Sequence, residues 1–341
     1  MSSIPSSIPS SQKVVLFNKT GGPEVLEYVD FAIPKIADNE LLIKNRYAGI
    51  NYIEGYFRTG LYPAKTPYVL GREATGVVVR VGSAVKGFQQ GDKVTYLSGS
   101  TFAQYTKYPA VGNLIKLDAK ADDEKMKLYS ASLIQGLTAL TFINEAYNVQ
   151  PDDYILVTAA AGGVGLILDQ LLSKQKKAHV IAIASTDAKL QKAKEAGAEY
   201  LLNSSKLSQD QLVAKIMEFT KNKGVSASFD SVGKDTAELS LAVLARKGTF
   251  VSFGNSSGAV PPLNISRLAK KNLKVLRPLL FGYIAEPEEF RYYLQKLFDL
   301  IDNKQLNISI YKVYPLSEYK TAVKELEGRK TSGKLLLEIP Q

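Results

Sequence analysis

Three small residues, Ala159, Gly162 and Gly165, stand at fixed spacing between an apolar run and a helical pattern. The run Tyr154–Thr158 is typical of a buried parallel strand, and apolar residues at a period of 3.6 follow from Val164. A small first residue permits a tight turn, Gly162 lets backbone approach a pyrophosphate, and Gly165 lets the helix pack on the strand. Exposed N–H groups at the positive end of the helix then hold phosphates. The spacing predicts a dinucleotide-binding turn, with a plain strand–helix turn as the alternative.

The composition limits the chemistry that the chain can perform. Its 341 residues include no cysteine and one histidine, and 43 basic against 33 acidic residues give a net charge of +10. Without thiols no disulfide can form, which suits a reducing compartment, and one histidine cannot build a Cys/His zinc site. That residue, His179, opens a predicted strand and is expected to be structural. The positive charge fits a solvated basic surface or, alternatively, attraction to phosphorylated ligands or RNA.

A chain of this length is expected to form about two domains. Residues 1–12 are rich in serine and proline, and we expect a disordered tail rather than a targeting peptide. The longest apolar runs fall far short of the ~18–20 residues of a membrane-spanning helix, so no membrane association is expected.

Residues 13–120 alternate short β-branched or aromatic runs with Gly, Pro, Asp and Asn, which predicts a mostly antiparallel β domain. Its strands are expected at Lys13–Phe17, Glu40–Asn51, Thr75–Val81, Lys93–Tyr96 and Phe102–Tyr108. From Asp122 to about Tyr147 the pattern is helical, and Pro151 closes that segment.

From residue 153 strands and helices alternate, which predicts an α/β fold with a parallel, doubly wound sheet. The strands are expected at Tyr154–Thr158, Val180–Ala184, Tyr200–Leu202, Val225–Phe229 and Gly248–Phe253. The helices are expected at Asp187–Ala196, Gln209–Thr220, Thr236–Ala245 and Pro287–Leu300. A last strand, Gly333–Ile339, would complete the β domain, so that the nucleotide-binding segment is inserted within it.

Short motifs follow one another in a fixed order along almost the whole chain from Lys13. They are Ala48–Ile53, Tyr56-x-Arg58-x-Gly60-x-Tyr62-Pro63, Gly71–Gly76, Gly91–Val94, Gln135–Thr138, Ala159–Gly165, Phe229–Gly233, Val251–Gly258, Arg277-Pro278 and Gly328–Lys334. Together they resemble the zinc-free quinone oxidoreductases of the medium-chain dehydrogenase/reductase superfamily, the ζ-crystallin-like group. The resemblance implies a GroES-like β-barrel catalytic domain (13–137 and 277–341), a Rossmann domain (138–276) and a homodimer.

The resemblance also bears on metals. Zinc-dependent members of the superfamily use a Gly-His-Glu segment and cysteines as ligands, whereas this chain has Gly71-Arg72-Glu73 and no cysteine. No metal is therefore expected, and Glu73 is expected to pair with Arg72 rather than to act in catalysis.

Without a metal, the acceptor itself must spread the charge that a hydride delivers. Hydride addition to an isolated ketone gives an alkoxide, whose conjugate acid has a pKa of about 16. Addition to a quinone gives an aryl oxide, whose phenol has a pKa of about 10, and these roughly 6 units amount to about 8 kcal/mol. A neutral hydrogen bond supplies only about 1 kcal/mol. Quinones or α,β-unsaturated ketones are therefore the expected acceptors.

The resemblance places the segment after Ile50 over the nicotinamide ring. Asn51, Tyr56 and Arg58 are the expected oxyanion and orientation donors, and Tyr62 is expected near the substrate mouth. Each has an alternative: Asn51 could cap the preceding strand, the tyrosines could be half-buried loop aromatics, and Arg58 could form a surface ion pair.

The residues after the strand Val180–Ala184 favour NADPH over NADH. A carboxylate in this place would bind the ribose 2′-OH of NAD, but the chain has Ser185 and Thr186. Asp187 is better suited to the start of the next helix. Lys189, one turn along, matches the family lysine that meets the 2′-phosphate, with a solvated helix face as its alternative. A charged hydrogen bond of about 1.5–3 kcal/mol would favour NADPH roughly ten- to over a hundredfold.

Further cofactor contacts are implied by the resemblance. The complete expected set is Thr138, Thr141, Ala161, Gly162, Gly163, Val164, Gly165, Ser185, Lys189, Ser231, Phe253, Gly254, Asn255, Arg277 and Arg329. Relatives often carry an aromatic residue over the adenine where this chain has Asn203-Ser204, so weaker adenine stacking is expected.

Three functional hypotheses follow. The first is a cytoplasmic NADPH:quinone oxidoreductase, with the nucleus as a second compartment. The second is an AU-rich RNA-binding protein of the ζ-crystallin type, whose RNA binding would be salt-sensitive and competed by NADPH. The third is a structural, crystallin-like role in which the cofactor is retained for stability.

Overall fold

The structure is a computed structural model that describes residues 8–341. Residues 1–7 of the predicted tail therefore lie outside the described residues. The predicted tail, residues 1–12, extends too far, because the first strand already begins at Ser11. Ser11 pairs with Ala32, and the side-chain amide oxygen of Gln12 accepts a hydrogen bond from the Tyr105 backbone N–H at 2.7 Å.

The strands are defined by their backbone pairing. They are β1 (Ser11–Phe17), β2 (Leu26–Ala32), β3 (Glu40–Ile50), β4 (Tyr68–Val69), β5 (Glu73–Val81), β6 (Lys93–Leu97), β7 (Tyr105–Pro109), β8 (Leu114–Lys116), β9 (Tyr154–Val157), β10 (His179–Ala184), β11 (Tyr200–Asn203), β12 (Val225–Asp230), β13 (Leu244–Ser252), β14 (Lys274–Leu276), β15 (Ile310–Pro315) and β16 (Lys334–Glu338).

The helices are interspersed with them. They are α1 (Tyr52–Arg58), α2 (Asp123–Thr141), α3 (Gly163–Gln170), α4 (Asp187–Ala196), α5 (Gln209–Phe219), α6 (Ala237–Val243), α7 (Leu280–Tyr283), α8 (Pro287–Asp302) and α9 (Tyr319–Glu327). Single π turns, Phe142–Ala146 and Leu171–Gln175, continue α2 and α3.

The chain divides into two compact units. The first comprises the chain up to Ile134 with Glu286–Leu294 and Ile310–Gln341, and the second comprises Gln135–Ala285 and Gln295–Ser309. The expected boundary at 137/138 differs from this division by three residues. The segments 277–285 and 295–309, which the sequence analysis assigned to the β domain, belong to the second unit.

The first unit is built around β3, whose length lets it pair with three strands. Its seven-stranded sheet has the order β15-β16-β3-β5-β6-β8, with β7 also paired to β3, and all of these pairs except the parallel β15–β16 are antiparallel. A smaller sheet has the order β2-β1-β4. The apolar core includes Val15, Phe17 and Ile43. The predicted antiparallel β domain is confirmed.

The second unit is a six-stranded parallel sheet with the order β11-β10-β9-β12-β13-β14. Numbered within the unit, this is 3-2-1-4-5-6, the order of a dinucleotide-binding doubly wound fold. The order reverses between β9 and β12, and ligands of such sheets bind at the carboxyl ends of the strands beside this reversal. The predicted doubly wound sheet is confirmed. Among residues 8–341 no helix is long and apolar enough to cross a bilayer.

Candidate active site

The turn between β9 and α3 has the backbone that a bound pyrophosphate needs. Ala159 has a φ of +48°, and Gly162 precedes α3 in an extended conformation. A Cβ on Gly162 would lie 3.0 Å from the Ala159 carbonyl oxygen, and one on Gly165 would lie 2.5 Å from that of Ala160. The first close approach forms the tight turn, and the second brings the helix against the strand. The residues present therefore fit a dinucleotide phosphate at this helix end.

A side chain at position 163 would clash with Gln135, which explains the glycine there. The Gln135 side chain occupies the space that a Cβ on Gly163 would need. The Oε1 atom of Gln135 is buried there without a hydrogen-bond partner. The neighbouring Ala161 is buried and Val164 is partly exposed.

The end of β10 offers hydroxyls and a lysine rather than a free carboxylate. Ser185 follows the strand, and the Thr186 hydroxyl accepts a hydrogen bond from the Lys189 backbone N–H at 3.3 Å as the N-cap of α4. Asp187 takes the first helical position, as expected. Its carboxylate accepts hydrogen bonds from Lys206 at 2.5 Å and from the Asn203 amide at 2.7 Å. The hydrogen bond from Lys206, and to a smaller extent the one from Asn203, lowers the pKa of the Asp187 carboxyl group.

The ends of β12 and β13 form the next part of this edge. The Arg277 guanidinium donates to the carbonyl oxygens of Ser252 at 3.0 Å and Gly254 at 3.2 Å. Asn255, in the amide orientation that satisfies its neighbours, accepts from Arg277 at 2.9 Å. Phe253 packs edge-on against Phe142. Arg277 thus braces the loop that carries three of the expected cofactor residues.

Asp230 organises the turn beside Ser231, a role that the sequence analysis did not predict. One of its carboxylate oxygens accepts hydrogen bonds from the backbone N–H groups of Val232 and Gly233. The other accepts a hydrogen bond from the Ser240 hydroxyl. The side chain is fully buried. Its position at the carboxyl end of a central strand was the available signal.

The two expected threonines of α2 are both buried, and Thr141 has its hydroxyl bonded within the helix. The Thr141 hydroxyl donates to the Leu137 carbonyl oxygen at 2.8 Å, within its own helix, and the residue is fully buried. Thr138 is 7% exposed, one turn earlier.

In the first unit, Asn51 is held by protein groups on both sides of its amide. The amide N–H groups donate hydrogen bonds to the Glu73 carboxylate at 2.8 Å and to the Gly49 carbonyl oxygen at 3.3 Å. The amide oxygen accepts a hydrogen bond from the Lys334 ammonium at 2.8 Å. Its backbone N–H is bonded by Glu54, which completes a capping box at the start of α1. Asn51 therefore caps the following helix rather than the preceding strand.

Glu73 pairs with Lys334 and not with Arg72, so the expected pairing was wrong. The Lys334 ammonium lies 2.5 Å from Glu73, and the second carboxylate oxygen accepts the Ile134 N–H at 2.7 Å. Arg72 instead bonds the Tyr68 hydroxyl. The reason is burial: Glu73 is fully enclosed, and a charge in that position needs an equally enclosed partner.

Arg58 forms an ion pair, but on the inside of the unit rather than at its surface. Its guanidinium is 2% exposed and bonds Glu327, and it also donates to the Gly21 carbonyl at 2.7 Å. Arg329, beyond α9 in the same unit, is exposed and has a φ of +55°.

The two expected tyrosines lie together. The rings of Tyr56 and Tyr62 meet edge-on with centroids 5.4 Å apart, and Phe57 meets Tyr62 at 5.7 Å. All three side chains are partly exposed, so they form an accessible aromatic surface.

Comparison with known proteins assigns the chain to a family. A model described as "Alcohol dehydrogenase GroES-like domain" matches residues 37–118, and one described as "Zinc-binding dehydrogenase" matches residues 163–299. A probable quinone oxidoreductase of Schizosaccharomyces pombe is 46% identical, with 96% of this chain and 97% of that protein covered. The crystal structure of Escherichia coli quinone oxidoreductase complexed with NADPH superposes with a TM-score of 0.89 at 39% identity, covering 96% of this chain and 99% of that one.

The chain belongs to the quinone oxidoreductase family of the medium-chain dehydrogenase/reductases. A more distant relative, the 2-haloacrylate reductase of a Burkholderia species, is 31% identical over 96% of this chain and 98% of that protein. The expected combination of a GroES-like domain with a Rossmann domain is confirmed. These relatives are named as reductases, and the RNA-binding alternative gains no support from them.

The zinc in one family model's description does not fit the donor set of this chain. The chain has no cysteine, and residues 8–341 contain no cluster of three His, Asp or Glu side chains that could hold a metal ion. His179, the one histidine, stacks on Tyr154 at 4.6 Å and contacts Glu199. The structural role expected of His179 stays a prediction.

Proposed function

We propose that the protein catalyses the NADPH-dependent reduction of quinones. The observation that carries the proposal is the end of β10 in the 3-2-1-4-5-6 sheet. Asp187, the carboxylate that follows β10, is bonded by Lys206 and Asn203, while Lys189 stands in the first turn of α4. This arrangement suits a 2′-phosphate better than a 2′-hydroxyl. The NADPH named in the Escherichia coli relative's structure supports the same choice.

Reduced nicotinamide supplies a hydride when it is bound. The residues of this chain bind and orient. The turn Ala159–Gly165 offers its backbone N–H groups to the pyrophosphate, and Lys189 offers an ammonium to the 2′-phosphate. Arg277 fixes the loop Phe253–Asn255 at the carboxyl end of β13. The aromatic surface of Tyr56 and Tyr62 provides faces on which a flat quinone can stack.

Asn51 and Arg58 are proposed to act by different routes. The hydrogen bond from the Asn51 amide to the Gly49 carbonyl oxygen is long, at 3.3 Å, so a substrate oxygen would replace that carbonyl as the acceptor of this N–H. Arg58 has its guanidinium bonded to Glu327 and Gly21. We therefore expect Arg58 to orient the end of α1 beside Tyr56, rather than to donate to the substrate itself.

The test is NADPH oxidation followed at 340 nm with 1,2-naphthoquinone and 9,10-phenanthrenequinone. Turnover should depend on the quinone and should be faster with NADPH than with NADH. A simple ketone or secondary alcohol at matched concentration is the control, and turnover of these comparable to that of a quinone would contradict the proposal. NADPH that raises the melting temperature without any quinone turnover would favour the structural role instead.

A second acceptor class, α,β-unsaturated carbonyl compounds, is favoured by one observation. The Burkholderia relative is named a 2-haloacrylate reductase, and it is matched over almost its whole length. An enone also spreads the incoming charge onto a carbonyl oxygen. Reduction of a cyclic enone by NADPH that the quinone inhibits competitively would place both classes in the same site.

A homodimer is proposed on the open edge of the parallel sheet. Within residues 8–341, β14 pairs with β13 alone, and Val275 and Leu279 beside that edge are 40% and 62% exposed. A second copy would add its own β14 and cover these side chains. Light scattering should give twice the chain mass of 37.3 kDa, and Val275→Lys should shift the protein towards monomer.

The proposed location is the cytoplasm, because a chain without cysteine gains nothing from an oxidising compartment. Fractionation of cells that produce the protein would test this. Recovery in a membrane pellet after washing with salt would contradict it.

A further inference from the structure

Arg72 places a cation beside the aromatic surface of the first unit. Its guanidinium lies 4.3 Å from the centroid of the Phe57 ring, and it donates a hydrogen bond to the Tyr68 hydroxyl at 2.7 Å. The side chain is partly exposed. No ion pair between Arg72 and a carboxylate is found within residues 8–341, and the adjacent Glu73 is bonded to Lys334.

The rings around this guanidinium are continuous with the proposed substrate surface. Tyr68 stacks on Phe57 with centroids 5.2 Å apart, and Phe57 in turn meets Tyr62. Tyr62 meets Tyr56. Arg72 lies over the Phe57 ring and is partly exposed, so the N–H donors that Tyr68 does not use can bind a second, charged group.

The chemistry of that second group follows from the guanidinium. Arginine stays protonated at every physiological pH and has N–H donors in a planar fork that matches a carboxylate or sulfonate. One of those N–H groups is used by Tyr68. Because the supporting residues are aromatic rather than acidic, the positive charge is not neutralised locally and remains available to an anion.

We propose that Arg72 selects quinones that carry an anionic substituent, a carboxylate or sulfonate, on or next to the ring. The flat ring system lies along the aromatic surface and the anionic group pairs with the guanidinium. This specificity presupposes the quinone reductase activity proposed above. It adds a substrate class within that activity and a residue outside the expected set of site residues.

The test compares two substrates that differ by one charged group, 1,2-naphthoquinone-4-sulfonate and 1,2-naphthoquinone. The sulfonate also changes the reactivity of the ring. For each protein we therefore divide kcat/KM for the sulfonate by kcat/KM for the neutral quinone, and compare this ratio in each variant with the ratio in wild type. Arg72→Gln should lower kcat/KM for the sulfonate roughly tenfold or more, mainly through KM, and should change that of the neutral quinone by less than about twofold. Arg72→Lys should retain part of the preference.

The matched control is Arg80→Gln. Arg80 is an exposed arginine at the far end of β5, seven residues after the start of that strand at Glu73, and its replacement should leave both values unchanged. Melting temperatures of all variants separate loss of folding from loss of binding. Equal losses on the two quinones in Arg72→Gln, or no loss on either, would overturn the proposal.

A binding measurement distinguishes this proposal from the quinone reductase activity on which it depends. Calorimetric titration with 2-naphthalenesulfonate and 2-naphthol uses a redox-inert pair and needs no turnover. Wild type should bind the sulfonate more tightly and Arg72→Gln should lose that difference. If wild type oxidises NADPH with neither quinone, the proposed function fails. If it reduces both but binds the two naphthalenes alike, the Arg72 proposal alone fails.

Discussion

The Lys334 ammonium lies 2.5 Å from the Glu73 carboxylate, although the two residues are 261 positions apart in the chain. Their side chains are 1% and 0% exposed. Both also bond Asn51, so one buried ion pair holds the residue that caps α1. The position of the proposed substrate residues on α1 therefore depends on β5 and β16.

Removal of one member of this pair should be strongly destabilising. Lys334→Met leaves the Glu73 charge buried and unpaired, which should lower the free energy of unfolding by about 3–5 kcal/mol. The double variant with Glu73→Gln should recover part of that loss. Urea unfolding followed by circular dichroism measures the change. Lys13→Gln is the control, because the Lys13–Asp30 pair is 40% and 68% exposed and its loss should cost less than about 1 kcal/mol.

Asp169 should make the stability fall as pH rises. The side chain is buried on α3, and neither carboxylate oxygen has a hydrogen-bond partner. Burial raises its pKa well above the ordinary value of 3.8. Its contribution to stability is therefore complete below pH 3.8 and is lost as the pH rises towards the pKa of the folded state.

Asp169→Asn should remove this pH dependence. Relative to wild type, the variant should gain up to about 1.4 kcal/mol of stability per pH unit above that range, until the folded-state pKa is reached. Thermal melting between pH 4 and 8 measures the difference. Asp210→Asn is the control for removal of an exposed carboxylate, and it should not reproduce the gain in stability at high pH that is expected of Asp169→Asn. Parallel profiles for wild type and Asp169→Asn would show that Asp169 is ionised in the folded protein.

Lys189 should determine the choice between NADPH and NADH. Lys189→Ala should lower the ratio of kcat/KM for NADPH to that for NADH roughly ten- to over a hundredfold, because one charged hydrogen bond to the 2′-phosphate is lost. NADH kinetics should hardly change. Lys194→Ala, an exposed lysine in the last turn of the same helix, provides the comparison and should keep the wild-type ratio. An unchanged ratio in Lys189→Ala would refute the assignment.

Much of the second unit could be predicted from its sequence because each strand is a short apolar run that a turn or a helix follows. The strands β9 to β13 and the helices between them lie where the periodicity placed them, within a few residues at their ends. The order of the sheet then follows from the topology of such folds.

The elements that sequence analysis missed lack such a pattern. β2 has one buried residue among seven, since it is the edge of the small sheet, and β4 contains two residues. α1 has Glu54 and Arg58 as its buried residues, so its inward face is charged rather than apolar. The Glu73–Lys334 pair joins distant strands, and no local spacing reports it. The role expected of Glu73 was wrong for this reason.

Gly165 should be indispensable for nucleotide binding. A Cβ there would lie 2.5 Å from the Ala160 carbonyl oxygen, so Gly165→Ala must move α3 away from β9 and displace the N–H groups that face the phosphates. The dissociation constant for NADPH should rise at least roughly tenfold, measured by the fluorescence of the bound nicotinamide. Gly99→Ala is the control, since a Cβ on Gly99 meets no atom within 4 Å, and it should bind NADPH as wild type does. Wild-type affinity in Gly165→Ala would show that the phosphates bind elsewhere.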